Sequence, residues 1–347
     1  MLNLKKATIF NLNLICGHSS VVERLVANEK VEGSTPFARS KYMFNLAINS
    51  FQKYVISQDI RKFKKNFFYY LFFRLVRSRL HTKIKIKIYN FFILASNNKN
   101  RMSFSLLRKC DFDDQKELNL LKKISDRNKI FFFDCGANFG FYSLFVASLN
   151  QKNKILAFEA SPKTLEEFEK NIEINNFKSI QVKNLAVSNL IEDKLDFYES
   201  EKDWESSVDK TNFNKGLKIS VKTITLDKAS ENISLNDFFT VMKVDVEGHE
   251  MNVIEGSLNL IEKFSPLIII EFSKFITKNE YYNYSYLKNF MTEYNYVIYD
   301  AEYKKINLDI VMDRIKKLPG NMYGIGNNFL VKENSRLEEL IINVGTI

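Results

Sequence analysis

Residues 131–142 read Phe131-Phe132-Phe133-Asp134-Cys135-Gly136-Ala137-Asn138-Phe139-Gly140-Phe141-Tyr142. An unbroken apolar run leads into a glycine turn, and a helix is expected to follow. Strands covered on both faces lack polar alternation, because a parallel sheet exposes neither side to water. Glycines suit the turn because a Cβ would block close backbone approach and the positive φ angles such a turn needs. The pattern places ligand-facing backbone at the carboxyl end of a sheet strand, where doubly wound folds bind nucleotides.

Outward from this loop, similar runs lie at 130–133, 155–158, 241–244 and 267–270. Amphipathic helices are expected between them. One starts at Ser161-Pro162, a capping hydroxyl followed by proline at the first helical position, with Leu165, Phe168 and Ile172 as its buried stripe. Another is expected from about His249 to Lys263, through Ile254, Leu258 and Ile261, stopping before Pro266. The rhythm predicts an α/β domain over residues 111–347, wound by right-handed crossovers.

The loop fails the dinucleotide fingerprint G-x-G-x-x-G, since Asn138 stands where the second glycine belongs and Gly140 comes one position early. Asp134 before the glycines suits a positively charged ligand better than a pyrophosphate. S-adenosylmethionine, with a sulfonium and an ammonium, is such a ligand. Glu159 closes the second run 19 residues after Gly140, at the spacing where an acid holds ribose hydroxyls.

The 347-residue chain carries +10, unevenly placed. Residues 41–110 hold 16 Lys or Arg against the single acid Asp59, a net of +15, and residues 1–40 add +2, which leaves −7 for 111–347. A basic, aromatic leader thus precedes an acidic body. Abundant Phe, Tyr, Lys, Ile and Asn indicate an AT-rich genome, which weakens the basic pI as evidence for a nucleic-acid partner. In the leader, Ile56, Ile60, Phe63, Phe67, Leu71 and Leu75 form a helical stripe, and residues 83–88 alternate basic and apolar as a strand would. This region is read as contacting a membrane surface or packing on the body with a solvated basic face. Residues 16–41, CGHSSVVERLVANEKVEGSTPFARSK, resemble the conceptual translation of a transfer-RNA gene, so 1–42 are assigned no function and Met43 is the expected start. Three distant cysteines without CxxC spacing predict neither disulfides nor a zinc site. The longest apolar run, 67–73, is far short of a membrane span, and no secretory signal opens the chain. A cytoplasmic protein, peripheral at the membrane, is expected.

In order along the chain, FFDCGANFGFYSL (132–144), FEASP (158–162), NLAVSN (184–189), TITLD (223–227) and KVDVEGHE (243–250) resemble the motifs of the FkbM methyltransferase family. The resemblance covers about residues 110–335. It implies a class I methyltransferase fold, a seven-stranded, mostly parallel sheet with its last strand antiparallel. It also implies S-adenosyl-L-methionine as cofactor and a sugar, glycan or small-molecule hydroxyl as acceptor. By the same resemblance, Asp134, Gly136, Asn138 and Gly140 line the methionine part and Glu159 holds the ribose. NLAVSN corresponds to a third-strand segment, which puts Ala186 near the adenine.

KVDVEGHE supplies the candidate catalytic residues Asp245, Glu247 and His249. Positioning an acceptor oxygen can lower a barrier by about 7–11 kcal/mol, and a general base adds roughly 10²–10⁴-fold. His249 is the only histidine of the body, yet histidine at a helix start is more often a surface or capping residue. Asp245 and Glu247 suit the role of base or acceptor-orienting group better, and Lys243 can pair with one of them. No metal is expected. An RNA methyltransferase and a non-catalytic scaffold are the competing readings. The acidic body and the lack of an RNA-binding module disfavour RNA, and the intact loop disfavours the scaffold.

Overall fold

The computed structural model describes residues 58–64, 69, 84–95, 101–199, 217–273, 280–319 and 324–346. The expectations for residues 1–42, and for Ile56, Phe67, Leu71 and Leu75 of the leader stripe, lie outside the described residues. The chain divides into two compact units, Met1–Phe112 and Asp113–Ile347.

In the first unit, a 3-10 turn, Ile60–Phe63, buries both of its apolar residues and is capped by the Asp59 side chain. The alternation at 83–88 is a strand: β1 (Ile84–Ile88) pairs antiparallel with β2 (Phe91–Ala95). Ile86, Ile88, Phe91, Ile93 and Ala95 are buried, whereas Lys85 and Lys87 on the other face are half-buried. The Arg61 guanidinium lies 3.7 Å from the Tyr89 ring centroid and Lys85 Nζ 4.2 Å from that of Phe92. Helix α1 (Arg101–Lys109) follows.

The second unit opens with α2 (Gln115–Ser125), β3 (Ile130–Cys135), α3 (Phe141–Leu149), β4 (Lys154–Phe158), α4 (Pro162–Asn175) and β5 (Ile180–Lys183). Next come β6 (Ala186–Val187), β7 (Leu195–Glu199), β8 (Leu217–Val221), β9 (Thr223–Ile224), α5 (Leu226–Ser230) and β10 (Phe239–Val244). After α6 (Glu250–Glu255), α7 (Leu258–Phe264) and β11 (Leu267–Ser273) run α8 (Glu280–Tyr294), β12 (Tyr296–Tyr299), β13 (Lys305–Ile306), α9 (Leu308–Lys316), β14 (Gly324–Lys332) and α10 (Arg336–Gly345).

The main sheet has the order β13-β12-β14-β11-β10-β3-β4-β5. From β11 to β5 all pairs are parallel, and β14 is antiparallel to both β11 and β12. This is the expected mostly parallel α/β sheet with an antiparallel final strand, extended by the two-residue edge strand β13. The central strands are buried on both faces, with Val241, Met242 and residues 267–270 inaccessible to solvent, as an all-apolar run requires. Switching from β3 to β10 on one side and β4 on the other opens the crevice at the carboxyl ends of these strands.

Three local expectations are corrected. NLAVSN supplies no strand of the main sheet: the third strand is β5, and Ala186 and Val187 pair with β9 in a separate two-stranded sheet. On α4, capped by Ser161 as expected, Phe168 is buried but Leu165 and Ile172 are only half-buried; Thr164 and Asn171 complete the inward face. The helix expected from His249 to Lys263 is two, broken at Gly256. A Cβ on Gly256 would lie 2.1 Å from the Ser188 carbonyl oxygen, so this close approach fixes a glycine where a continuous helix would otherwise run.

Among the described residues no helix is long and apolar enough to cross a membrane. Cys110 and Cys135 are buried and unpaired.

Candidate functional site

The loop after β3 adopts left-handed backbone at Gly136 (φ 81°), Asn138 (φ 52°) and Gly140 (φ 87°). At two of these positions glycine is also required by space. A Cβ on Gly136 would sit 1.9 Å from the Asp245 carbonyl oxygen, and one on Gly140 would sit 2.0 Å from the Phe168 ring. The loop is pinned from below: Gly136 and Ala137 N–H donate to the Phe158 carbonyl at 3.1 and 2.9 Å, and Asn171 Nδ2 donates to the Phe139 carbonyl at 3.0 Å.

Glu159 sits against this loop. Its Oε2 accepts the Asn138 N–H at 2.7 Å and its Oε1 the Ser161 N–H at 2.9 Å. Burial pushes its carboxyl up to about 7 despite these two donors. Asp134 is buried beneath the loop, where its Oδ2 accepts the Ser143 hydroxyl at 2.5 Å. Burial raises it to about 6, opposed by that hydrogen bond and by Lys243. Ala186 is buried and donates its N–H to the Lys222 carbonyl at 2.9 Å.

The sheet register carries these residues to the next set. Cys135 is level with Phe158 on one side and Val244 on the other, and Val244 with Ile270. Continued by one residue, the register forms a row of Glu159, Gly136, Asp245 and Glu271, and Glu271 is paired directly with Asn327 of β14. The expected cofactor loop and the KVDVEGHE segment are therefore adjacent layers of one crevice.

Lys243 decides the electrostatics. It is almost wholly buried, and its Nζ donates to Asp245 Oδ2 at 2.8 Å, the pairing the sequence suggested. The Tyr142 ring centroid lies 5.1 Å from the ammonium. Tyr142 donates its hydroxyl to Asp114 Oδ2 at 2.7 Å, and Asn327 Nδ2 reaches the same oxygen at 3.3 Å. Burial alone would pull the Lys243 ammonium down, but Asp245, Asp114 and Glu271 outweigh it and hold the lysine charged. Glu247, with left-handed backbone at φ 52°, has its carboxyl pushed well above the ordinary value by burial and by the charges of Asp245 and Glu271. Glu271 is pushed up to about 8 by burial and Asp245, against the pull of Lys243. Glu250 accepts the Gly248 N–H at 2.9 Å and is raised to about 7 by burial.

His249 Nε2 lies 2.9 Å from Ser188 Oγ, which joins KVDVEGHE to the segment after β5. Among the described residues no group of three or more His, Cys, Asp or Glu side chains is arranged to hold a metal ion. Asp114, Tyr142 and Asn327 escaped the sequence reading. Asp114 precedes an ordinary helix and Asn327 lies 213 positions from it, so no local pattern connects them.

Comparison with known proteins places this geometry beside methyltransferases. Residues 134–298 match the methyltransferase FkbM domain. Methyltransferase 1 of Beauveria bassiana (strain ARSEF 2860) is 30% identical over 146 residues, covering 36% of this chain and 57% of that protein. The chain thus spans little more than half the length of this curated relative. Among solved structures, P. horikoshii TYW2 in complex with MeSAdo aligns at 13% identity and TM-score 0.35, covering 73% of each chain. SMU.1697c of Streptococcus mutans in complex with SAH aligns at 11% identity and TM-score 0.37, covering 64% of this chain and 98% of that one.

Proposed function

We propose that the chain is an S-adenosylmethionine-dependent methyltransferase that acts on a hydroxyl of a sugar, glycan or small molecule. The observation that carries this is Glu159, fixed by the Asn138 N–H at the rim of a left-handed glycine loop, within a domain of the FkbM class. The donor set fits the cofactor. Asp134, Asp245 and Glu271 lie near the buried Lys243 ammonium and Glu247 lies beside Asp245, so carboxyls outnumber cations at the crevice; a sulfonium and an ammonium would favour their ionised forms, whereas a pyrophosphate would oppose them. When bound, S-adenosylmethionine supplies an electrophilic methyl group.

The chain's own residues would do the rest. Glu159 retains lone pairs on both oxygens for ribose hydroxyls, since each accepts one backbone N–H. Left-handed backbone at Gly136 and Gly140 brings the loop close to the ligand, and Ala186 lines the neighbouring edge. Lys243 holds Asp245 in place at the crevice, next to the acceptor position. Glu247, its carboxyl pushed up by burial and by the charges of Asp245 and Glu271, holds its proton more tightly than an ordinary carboxyl, and a nearby positive charge would loosen that hold. His249, bonded to Ser188, orients the cofactor-side segment in this reading rather than acting as the base.

Calorimetric titration of the full chain with S-adenosylmethionine at pH 6 and pH 8 tests the proposal. Binding should tighten with pH as Asp134 and Glu159 ionise, and Asp134→Ala and Glu159→Ala should each weaken it about tenfold to a hundredfold. A folded protein that binds none of it at either pH refutes the reading.

A further inference from the structure

The crevice continues past Asp245 to a pair of side chains that the cofactor reading does not use. Glu271 on β11 and Asn327 on β14 are direct cross-strand partners. Their Cβ atoms therefore stand about 4.5–5.5 Å apart. Asn327 is 7% exposed, and its Oδ1 is buried without a hydrogen-bond partner. The amide orientation follows from its neighbour: Asp114 Oδ2 accepts, so it faces Nδ2 and leaves Oδ1 directed elsewhere. The half-buried Glu271 carboxyl likewise has no hydrogen-bond partner among the described residues. Its Oε1 lies over Gly324, 2.5 Å from where a Cβ would be, so the missing side chain provides its room.

Resting on the methyltransferase reading, we propose that Glu271 and Asn327 together hold the acceptor by two neighbouring hydroxyls, which makes the substrate a vicinal diol of the saccharide kind. Adjacent hydroxyls span the gap between the two side chains with one hydrogen bond each. The first meets the Glu271 carboxyl, and the second gives Asn327 Oδ1 the donor it lacks, removing the penalty of an unpaired buried acceptor. A neutral diol suits this place better than an amine. Lys243 already supplies a cation beside Glu271, and the Glu271 carboxyl, pushed up to about 8, is mostly neutral at pH 7 and offers both a donor and an acceptor. Asp245, one strand away in the same row, faces the reacting hydroxyl from the cofactor side.

The test uses the full chain with S-adenosylhomocysteine added, probed by saturation-transfer NMR with methyl glycosides of mannose, glucose, galactose and rhamnose. Transfer is expected to at least one glycoside and to none of the per-O-methylated counterparts. Glu271→Leu and Asn327→Leu should each weaken it about tenfold. Gly324→Ala should also weaken it while lowering thermal stability only slightly, because the new Cβ chiefly displaces the flexible end of Glu271 and otherwise meets the Phe272 carbonyl oxygen at 3.3 Å. The clamp is overturned if S-adenosylhomocysteine binds but no glycoside does, if per-O-methylated or amino glycosides bind better, or if the variants bind as the parent does. A folded chain that binds no S-adenosylhomocysteine instead removes the methyltransferase reading beneath it.

Discussion

Replacing Glu159 by glutamine should change stability in a way that depends on pH. In the folded chain the Glu159 carboxyl lies at about 7, against an ordinary 4.5. Between these values the unfolded chain has released the proton while the folded chain retains it. Folding stability from this group is thus fully present below 4.5, falls as pH rises through the window, and is lost above about 7. The difference corresponds to about 3 kcal/mol. Glutamine cannot ionise, so it escapes this loss. It introduces another: both Glu159 oxygens accept backbone N–H groups, from Asn138 and Ser161, and the amide NH₂ must face one of them. Leaving that buried donor unpaired costs about 1–3 kcal/mol at any pH. Urea unfolding at pH 5 and pH 8 separates the two effects, with unchanged slopes as the control for two-state behaviour. At pH 5 the variant should be less stable by about 1–3 kcal/mol, and at pH 8 it should equal or exceed the parent. Glu250 and Glu271 titrate in both proteins and cancel in the difference, whereas Asp134, whose charge acts on Glu159, adds a smaller change of the same pH dependence. A stability difference that is the same at both pH values would refute the argument, since Glu159 would then not be held neutral by its burial.

Three further outcomes follow from the same geometry. Gly136→Ala should unfold at clearly lower denaturant, by at least about 1–3 kcal/mol from the left-handed backbone alone, because its Cβ meets the rigid Asp245 carbonyl; an unchanged midpoint would contradict the loop geometry. Lys243→Met should cost about 1–3 kcal/mol by leaving Asp245, which is 35% exposed and so partly solvated, without its partner. The loss in Lys243→Met with Asp245→Asn should be smaller than the sum of the single losses, and strict additivity in that cycle would show the pair is not coupled. We propose that the basic hairpin with Lys85 and Lys87 meets anionic lipid; co-sedimentation with phosphatidylserine vesicles should then exceed that with phosphatidylcholine and fall when both are changed to Gln, and equal sedimentation with the two lipids rejects it.

Local pattern made much of this protein legible. Unalternating runs became β3, β4, β10 and β11, and the basic–apolar alternation at 83–88 became β1, because the side-chain period records which faces are covered. The glycine loop, its Glu159 partner and the Ser161 cap were readable for the same reason: each is set by residues a few positions apart or by a fixed strand–helix–strand spacing. The helix at 249–263 was misread because the signal for its break is remote, in the Ser188 carbonyl that Gly256 must approach.

What only the tertiary structure decided is which strand ends share a row. Asp245, Glu271 and Asn327 come from three strands, and the order β14-β11-β10-β3-β4 places them in line with Gly136 and Glu159. Asp114 and Tyr142 join Lys243 through packing on one face of that sheet. Sequence fixes the period and the turns because these are properties of neighbouring residues. The charge state of a carboxyl depends on burial and on charges brought from far along the chain, and those exist only once the sheet has closed around them.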